Sequence, residues 1–199
     1  RSQFGDSRRT EIIDSMLDLT HEDLIEEEDL VVTLSRAGYI KSQSLDSYQS
    51  QKRGGKGKMA MASLDDNDDV LQDMFVARNH DELLFFTNLG RIYNIPVYQV
   101  PEASRTAKGR AIVNLLPLNP NEYVVKLLCT KDLDDKNLVM LTKKGIIKRT
   151  LAQEFGNIRS TGIRAITLNE SDELVFCSLS SGQDTIVIAT AKGQGIRFK

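Results

Sequence analysis

From Leu30 to Lys199 the apolar and β-branched residues come in runs of about five or six, broken by glycine and polar pairs. Such spacing predicts short strands joined by tight turns. The pattern also repeats, and repetition at this period marks a stacked architecture. Leu30-Val31-Val32-Thr33-Leu34-Ser35 leads into Gly38-Tyr39-Ile40-Lys41, and Leu83-Leu84-Phe85-Phe86-Thr87 leads into Gly90-Arg91-Ile92-Tyr93. Leu138-Val139-Met140-Leu141-Thr142 leads into Gly145-Ile146-Ile147-Lys148, and Ile186-Val187-Ile188-Ala189-Thr190 precedes Gly193. Successive hairpin glycines lie 52, 55 and 48 residues apart.

Each unit carries a second signal: Lys56-Gly57-Lys58-Met59-Ala60, Lys108-Gly109-Arg110-Ala111 and Thr161-Gly162-Ile163-Arg164-Ala165. A last apolar run closes each unit, over 70–77, 123–130 and 173–179. Four short strands in a unit of this length is the scale of a propeller blade. The expected fold is therefore all-β and propeller-like, a partial disc of about three to four four-stranded blades. The units run over 30–80, 81–133, 134–182 and, incompletely, 183–199. Residues 1–29 break the pattern and read as a linker with one short helix, capped by Thr20-His21-Glu22-Asp23 ahead of Leu24 and Ile25.

Composition narrows the function. In 199 residues the hydrophobic fraction is 40%, enough for a packed core, and no apolar run is long enough to span a bilayer. With no signal pattern at its start, the chain is expected to be soluble and unexported, cytoplasmic, with no membrane partner. Cys129 and Cys177 fall inside apolar runs and read as buried reduced thiols. Neither they nor His21 and His80 show metal-ligand spacing. Phe85, Phe86, Phe155 and Phe176 read as core, and Tyr39 and Tyr93 as matching positions after the hairpin glycines.

The net charge of −2 excludes a uniformly basic surface, but the charges are segregated. Acidic blocks at 22–29 and 65–69 bracket a cationic stretch whose densest part is Gln51-Lys52-Arg53-Gly54-Gly55-Lys56-Gly57, followed by Lys58. Glycines let the backbone approach a partner closely, and the cations attract phosphate. A nucleotide-binding P-loop fails on spacing, since Lys52 stands where its first glycine belongs and Met59 follows Lys58. A loop that grips a polyanion backbone fits. The other units offer cations at comparable places: Lys41 in the first, then Arg91, Arg105, Lys108 and Arg110. The third has Lys143, Lys144, Lys148, Arg149, Arg159 and Arg164, and the fourth Lys192 and Arg197. Lysines and arginines spaced along an arc suit phosphate contact without sequence readout.

The Gln-Lys-Arg-Gly-Gly-Lys-Gly run resembles the seven-residue box of bacterial DNA gyrase A subunits, which are type IIA topoisomerases. Phe4-Gly5-Asp6-Ser7-Arg8-Arg9-Thr10-Glu11-Ile12 resembles the exit from that family's breakage domain, and residues 29–41 its first strand pair. The resemblance implies a β-pinwheel, a disc of blades that exchange strands with their neighbours and around whose basic rim duplex DNA wraps. It places the box on a loop of the first blade, with Lys52 where arginine is frequent, and gives the full disc six blades. It also implies a holoenzyme with the gyrase B subunit plus a second copy of the gyrase A chain, working near the nucleoid. ATP and Mg, like the catalytic tyrosine, belong to its other domains, so this piece needs no cofactor and holds no catalytic residue. Two other readings stay open: a topoisomerase IV relative, and a protein-interaction scaffold that presents its acidic blocks.

Overall fold

In the computed structural model, residues 24–48, 69–129, 131, 133 and 135–199 are described. The seven-residue box, Lys58 and most of the N-terminal linker lie outside them. The described residues form four small antiparallel sheets, as the strand spacing requires. The first takes β1 (Asp29–Ser35), β2 (Tyr39–Ser44) and β3 (Leu71–Arg78); the second takes β4 (Glu82–Thr87), β5 (Arg91–Pro96) and β7 (Val124–Cys129). The third has β8 (Asn137–Thr142), β9 (Ile147–Leu151) and β11 (Leu174–Ser180), and β12 (Ile186–Ala189) pairs with β13 (Gly195–Phe198). The first three hairpin turns share one end of the blades, here called the tip end: Gln72, close to the first turn, donates to the Val124 carbonyl close to the second, and the Leu174 N–H, close to the third, donates to the Asn88 carbonyl in the second. The β12–β13 pair starts from the far end, where Ile186 and Phe198 border Ser180, so its turn points the same way.

The second signals of the second and third units do not stay in their own sheets, as a count of strands per unit implies. β6 (Arg110–Ala111) adds to the outer edge of the first sheet, pairing Arg110 with Ile40, and β10 (Ile163–Arg164) adds to the second, pairing Arg164 with Arg91. These crossings are the strand exchange that the family resemblance implies. Glycine is required at both: with φ of +91° and +73°, a Cβ on Gly109 would sit 2.5 Å from the Ile40 carbonyl oxygen, and one on Gly162 would sit 2.6 Å from the Tyr93 ring.

The blades stack through their faces. Leu83, Phe85, Tyr93 and Ile95 of the second sheet join Leu30, Val32, Leu34 and Ile40 of the first in one core. On the opposite face Leu84, Phe86 and Ile92 meet Leu138, Met140 and Phe155 in another, where the Phe86 and Phe155 rings pack edge to face at 6.4 Å. The second blade is thus buried on both faces, which is why its strands read as continuous apolar runs. Each large side chain so buried contributes about 2–3 kcal/mol. On the side away from the crossings the closing strands approach one another. There Lys126 pairs with Asp73, and the Gln72 amide donates to the carbonyls of Val124 and Val125. The closing strands β3 and β7 thus lie side by side, while β6 and β10 sit on the opposite edges of the first and second sheets, here called the outer edge.

Two aromatic expectations change. Phe176 is 49% exposed, facing a cleft of about 430 Å³ between the third sheet and the β12–β13 pair. Tyr39 and Tyr93 are not equivalent, since Tyr39 stands one place after its glycine and Tyr93 three. Counted from the glycine, the partner of Tyr93 in the first blade is Lys41. Cys129 and Cys177 are both buried and unpaired, and burial pushes their thiols up to about 11 and about 12. Neither thiol should react with a water-soluble disulfide reagent at pH 8 until the chain unfolds. Release kinetics in urea will check this, and rapid labelling of the native protein would contradict it.

Candidate nucleic-acid interface

The crossing segments put cations on the outer edge by a local device. Between the bridge from Glu102 to Ser42 and the Arg110–Ile40 pair, residues 103–109 bulge away from the first sheet. Lys41 holds this bulge from beneath: its Nζ donates to the carbonyl oxygens of Ser104, Arg105 and Ala107 at 3.2, 2.7 and 2.9 Å. The residue is 0% exposed, so the ammonium cannot contact DNA, and Lys41 leaves the set of surface cations. Burial lowers its pKa from the ordinary lysine value. Its ligands among the described residues are backbone oxygens contributed by the next unit, which no pattern around Lys41 reveals. What the bulge presents outward is a half-buried Arg105 and an exposed Lys108 whose Nζ lies 4.2 Å from the Tyr39 ring centroid.

The second crossing solves the same problem differently. Arg91 and Arg164 are direct cross-strand partners, an arrangement that repels. The Arg91 guanidinium is drawn aside: Nε donates to the Tyr93 hydroxyl at 3.0 Å and Nη2 to the Thr161 carbonyl at 2.6 Å. Arg91 thereby latches the crossing strand, and Arg164 is left exposed. Arg110, Arg149, Arg159, Lys192 and Arg197 are exposed as well. Lys143 is paired with Glu173 at 3.7 Å, while Lys144 donates to the Glu170 carbonyl. Lys148 matches Lys41 in register but is exposed, donating only to the Ala165 carbonyl, since no described crossing segment covers it. Arg36, which belongs to the cationic stretch between the acidic blocks but not to the expected DNA-contacting set, is exposed in the first hairpin turn. Lys143, Lys144 and Lys192 stand beside the hairpin glycines of later units, and that repeat position is the signal that could have found it.

Carboxylates inside the tip end hold the hairpin turns. Glu122 accepts from the Thr87 hydroxyl at 2.6 Å, the Asn119 backbone N–H at 2.8 Å, the Asn119 amide at 2.7 Å and the Tyr93 hydroxyl at 3.2 Å. Burial alone would raise its pKa, but these donors hold it below the ordinary carboxylate value. Asp172 is placed likewise, with its pKa also held low against burial by Thr142 and the N–H groups of Lys144 and Glu173. Asp69, from the second acidic block, accepts from the Ala37 N–H in the first turn. Because the folded pKa values of Glu122 and Asp172 are depressed, their stabilisation is complete above the ordinary carboxylate pKa and is lost as pH falls through the lower folded values. Glu122→Gln should cost about 1–3 kcal/mol and flatten that acid limb, measured by urea unfolding between pH 3 and 7. A variant with the wild-type acid profile would refute this assignment.

The sequence matches the family described as the DNA gyrase C-terminal domain, a beta-propeller, over residues 29–78, 81–131, 136–181 and 184–199. It is 48% identical to the gyrase A protein of Clostridium acetobutylicum over the whole of this chain, which spans only 24% of that relative's length. Among solved structures, the C-terminal domain of DNA topoisomerase IV superposes with a TM-score of 0.72 at 25% identity, covering 87% of this chain and 52% of the other. The DNA gyrase A C-terminal domain superposes with a TM-score of 0.58 at 28% identity, covering 85% and 54%.

Proposed function

This chain belongs to the DNA gyrase C-terminal domain family, and from that premise we propose that it binds, bends and wraps duplex DNA without reading its sequence. One observation carries the reading. Successive crossing segments bring cations to equivalent places on one outer edge, Arg105, Lys108 and Arg110 from the second unit and Arg159 and Arg164 from the third. Such an edge meets phosphates and no base edges. Bending a few tens of base pairs costs several kcal/mol, which many modest contacts offset better than one pocket. The box at Gln51, Lys52, Arg53, Gly54, Gly55, Lys56 and Gly57, with Lys58, would extend the track from the first unit.

In the whole enzyme this wrap would present a segment for passage during ATP-dependent negative supercoiling, in a cytoplasmic assembly with gyrase B and a second gyrase A chain. Cleavage and ATP hydrolysis would fall to other domains. The higher TM-score to the topoisomerase IV domain favours a second reading, in which binding occurs with little wrapping. A duplex labelled at both ends separates the two. Anisotropy should report binding that weakens steeply with salt, and energy transfer should rise as the ends approach. Binding with unchanged end-to-end distance would favour the second reading, and no binding at low salt would defeat both.

A further inference from the structure

The strand registers sort the charges by end of the blade. At the tip end stand Arg36 and Lys144 in hairpin turns, Arg110 and Arg164 on the crossing strands, and Lys192 in the last turn. The tip-end carboxylates Asp69, Glu122 and Asp172 are turned in on backbone N–H groups, and only Glu170 and Glu173 remain among the described residues of that surface, the latter paired with Lys143. The opposite end carries Glu26 and Glu28 beside the 78–81 turn, with exposed Asp46, Asp135, Glu154 and Asp184 where strands start or finish. Its described cations are Arg78, which faces Glu27 at 4.0 Å, Lys131, which donates to the Val76 carbonyl, Lys136 and Lys199, and the carboxylates there outnumber them.

Six-residue strands separate the two ends by roughly 20 Å. That exceeds the Debye length of about 8 Å at physiological salt, so the two fields do not cancel in solvent. Accepting the DNA reading above, we infer that the duplex follows the tip-side shoulder of the outer edge, and that the carboxylates at the far end keep it off the other shoulder. A net charge of −2 is thereby compatible with tight polyanion binding. The track also acquires a side, which a symmetric positive belt would not have.

A photo-crosslinker on single introduced cysteines tests the lane, since Cys129 and Cys177 are buried. Ala37→Cys and Leu89→Cys place it in tip-end turns, and Asp46→Cys and Glu154→Cys place it at the far end. With the full chain and a duplex of about 40 base pairs, the tip-end sites should give at least fivefold more crosslinked DNA. Converting Glu26 and Glu28 to Gln and Asp135 to Asn should then raise the far-end yield twofold or more. Equal yields from both ends, with binding intact, would overturn the lane and leave the DNA reading standing. Unchanged far-end yield after neutralisation would overturn the guarding role. Absence of duplex binding in the anisotropy control would instead remove the DNA reading, and this inference with it.

Discussion

Lys41→Met should lower folding stability by about 3–5 kcal/mol, the cost of leaving buried acceptors without their charged donor. Methionine fills the volume of the lysine stem but donates nothing, so the carbonyls of Ser104, Arg105 and Ala107 lose the ammonium that gathers them. Lys41→Arg should not restore the loss, because a planar guanidinium does not fit a site built for a compact ammonium at 0% exposure. Urea unfolding gives the stability. DNA affinity should fall as well, since the bulge carrying Arg105 and Lys108 is no longer held in place. A Met variant as stable as the parent would show that the bulge is held by its own backbone, and the reassignment of Lys41 would fail.

The second large effect concerns the outer edge. Replacing Arg105, Lys108, Arg110, Arg159 and Arg164 together by Ala should reduce duplex affinity about 100-fold or more near physiological salt. The slope of log affinity against log salt should also become shallower by about 4, close to 0.9 per phosphate contact removed. Arg91 is left in place because it latches the crossing strand, so the thermal midpoint should move little. Replacing Lys52, Arg53, Lys56 and Lys58 by Ala is expected to act differently, reducing the approach of the DNA ends more than the affinity. An edge variant with an unchanged salt slope would mean that the phosphates lie elsewhere. Equal loss of bending and affinity in the box variant would contradict the division of labour.

Much of the fold was legible because a repeat writes itself several times. The hairpins at Gly38, Gly90, Gly145 and Gly193, the closing strands and the apolar runs of the doubly buried second blade all follow from local pattern. Cys129 and Cys177 were placed correctly for the same reason. The candidate interface was legible as a list of cations and less so as an arrangement. Arg91 and Arg164 look alike in sequence, yet one is bound to Thr161 and Tyr93 and the other faces solvent. Lys41 and Lys148 share a register, yet the first is enclosed and the second exposed. Phe176 sits in an apolar run, yet it borders a cleft.

By itself the sequence determined the strand period, the turn positions, the repeat and the supply of cations, since each depends on residues close together in the chain. Tertiary structure decided which sheet each crossing strand joins, which cations the fold uses for itself, and which end of the blades is acidic. Those outcomes depend on backbone carbonyls and registers contributed by the next unit, about fifty residues away, and side-chain type carries no record of them.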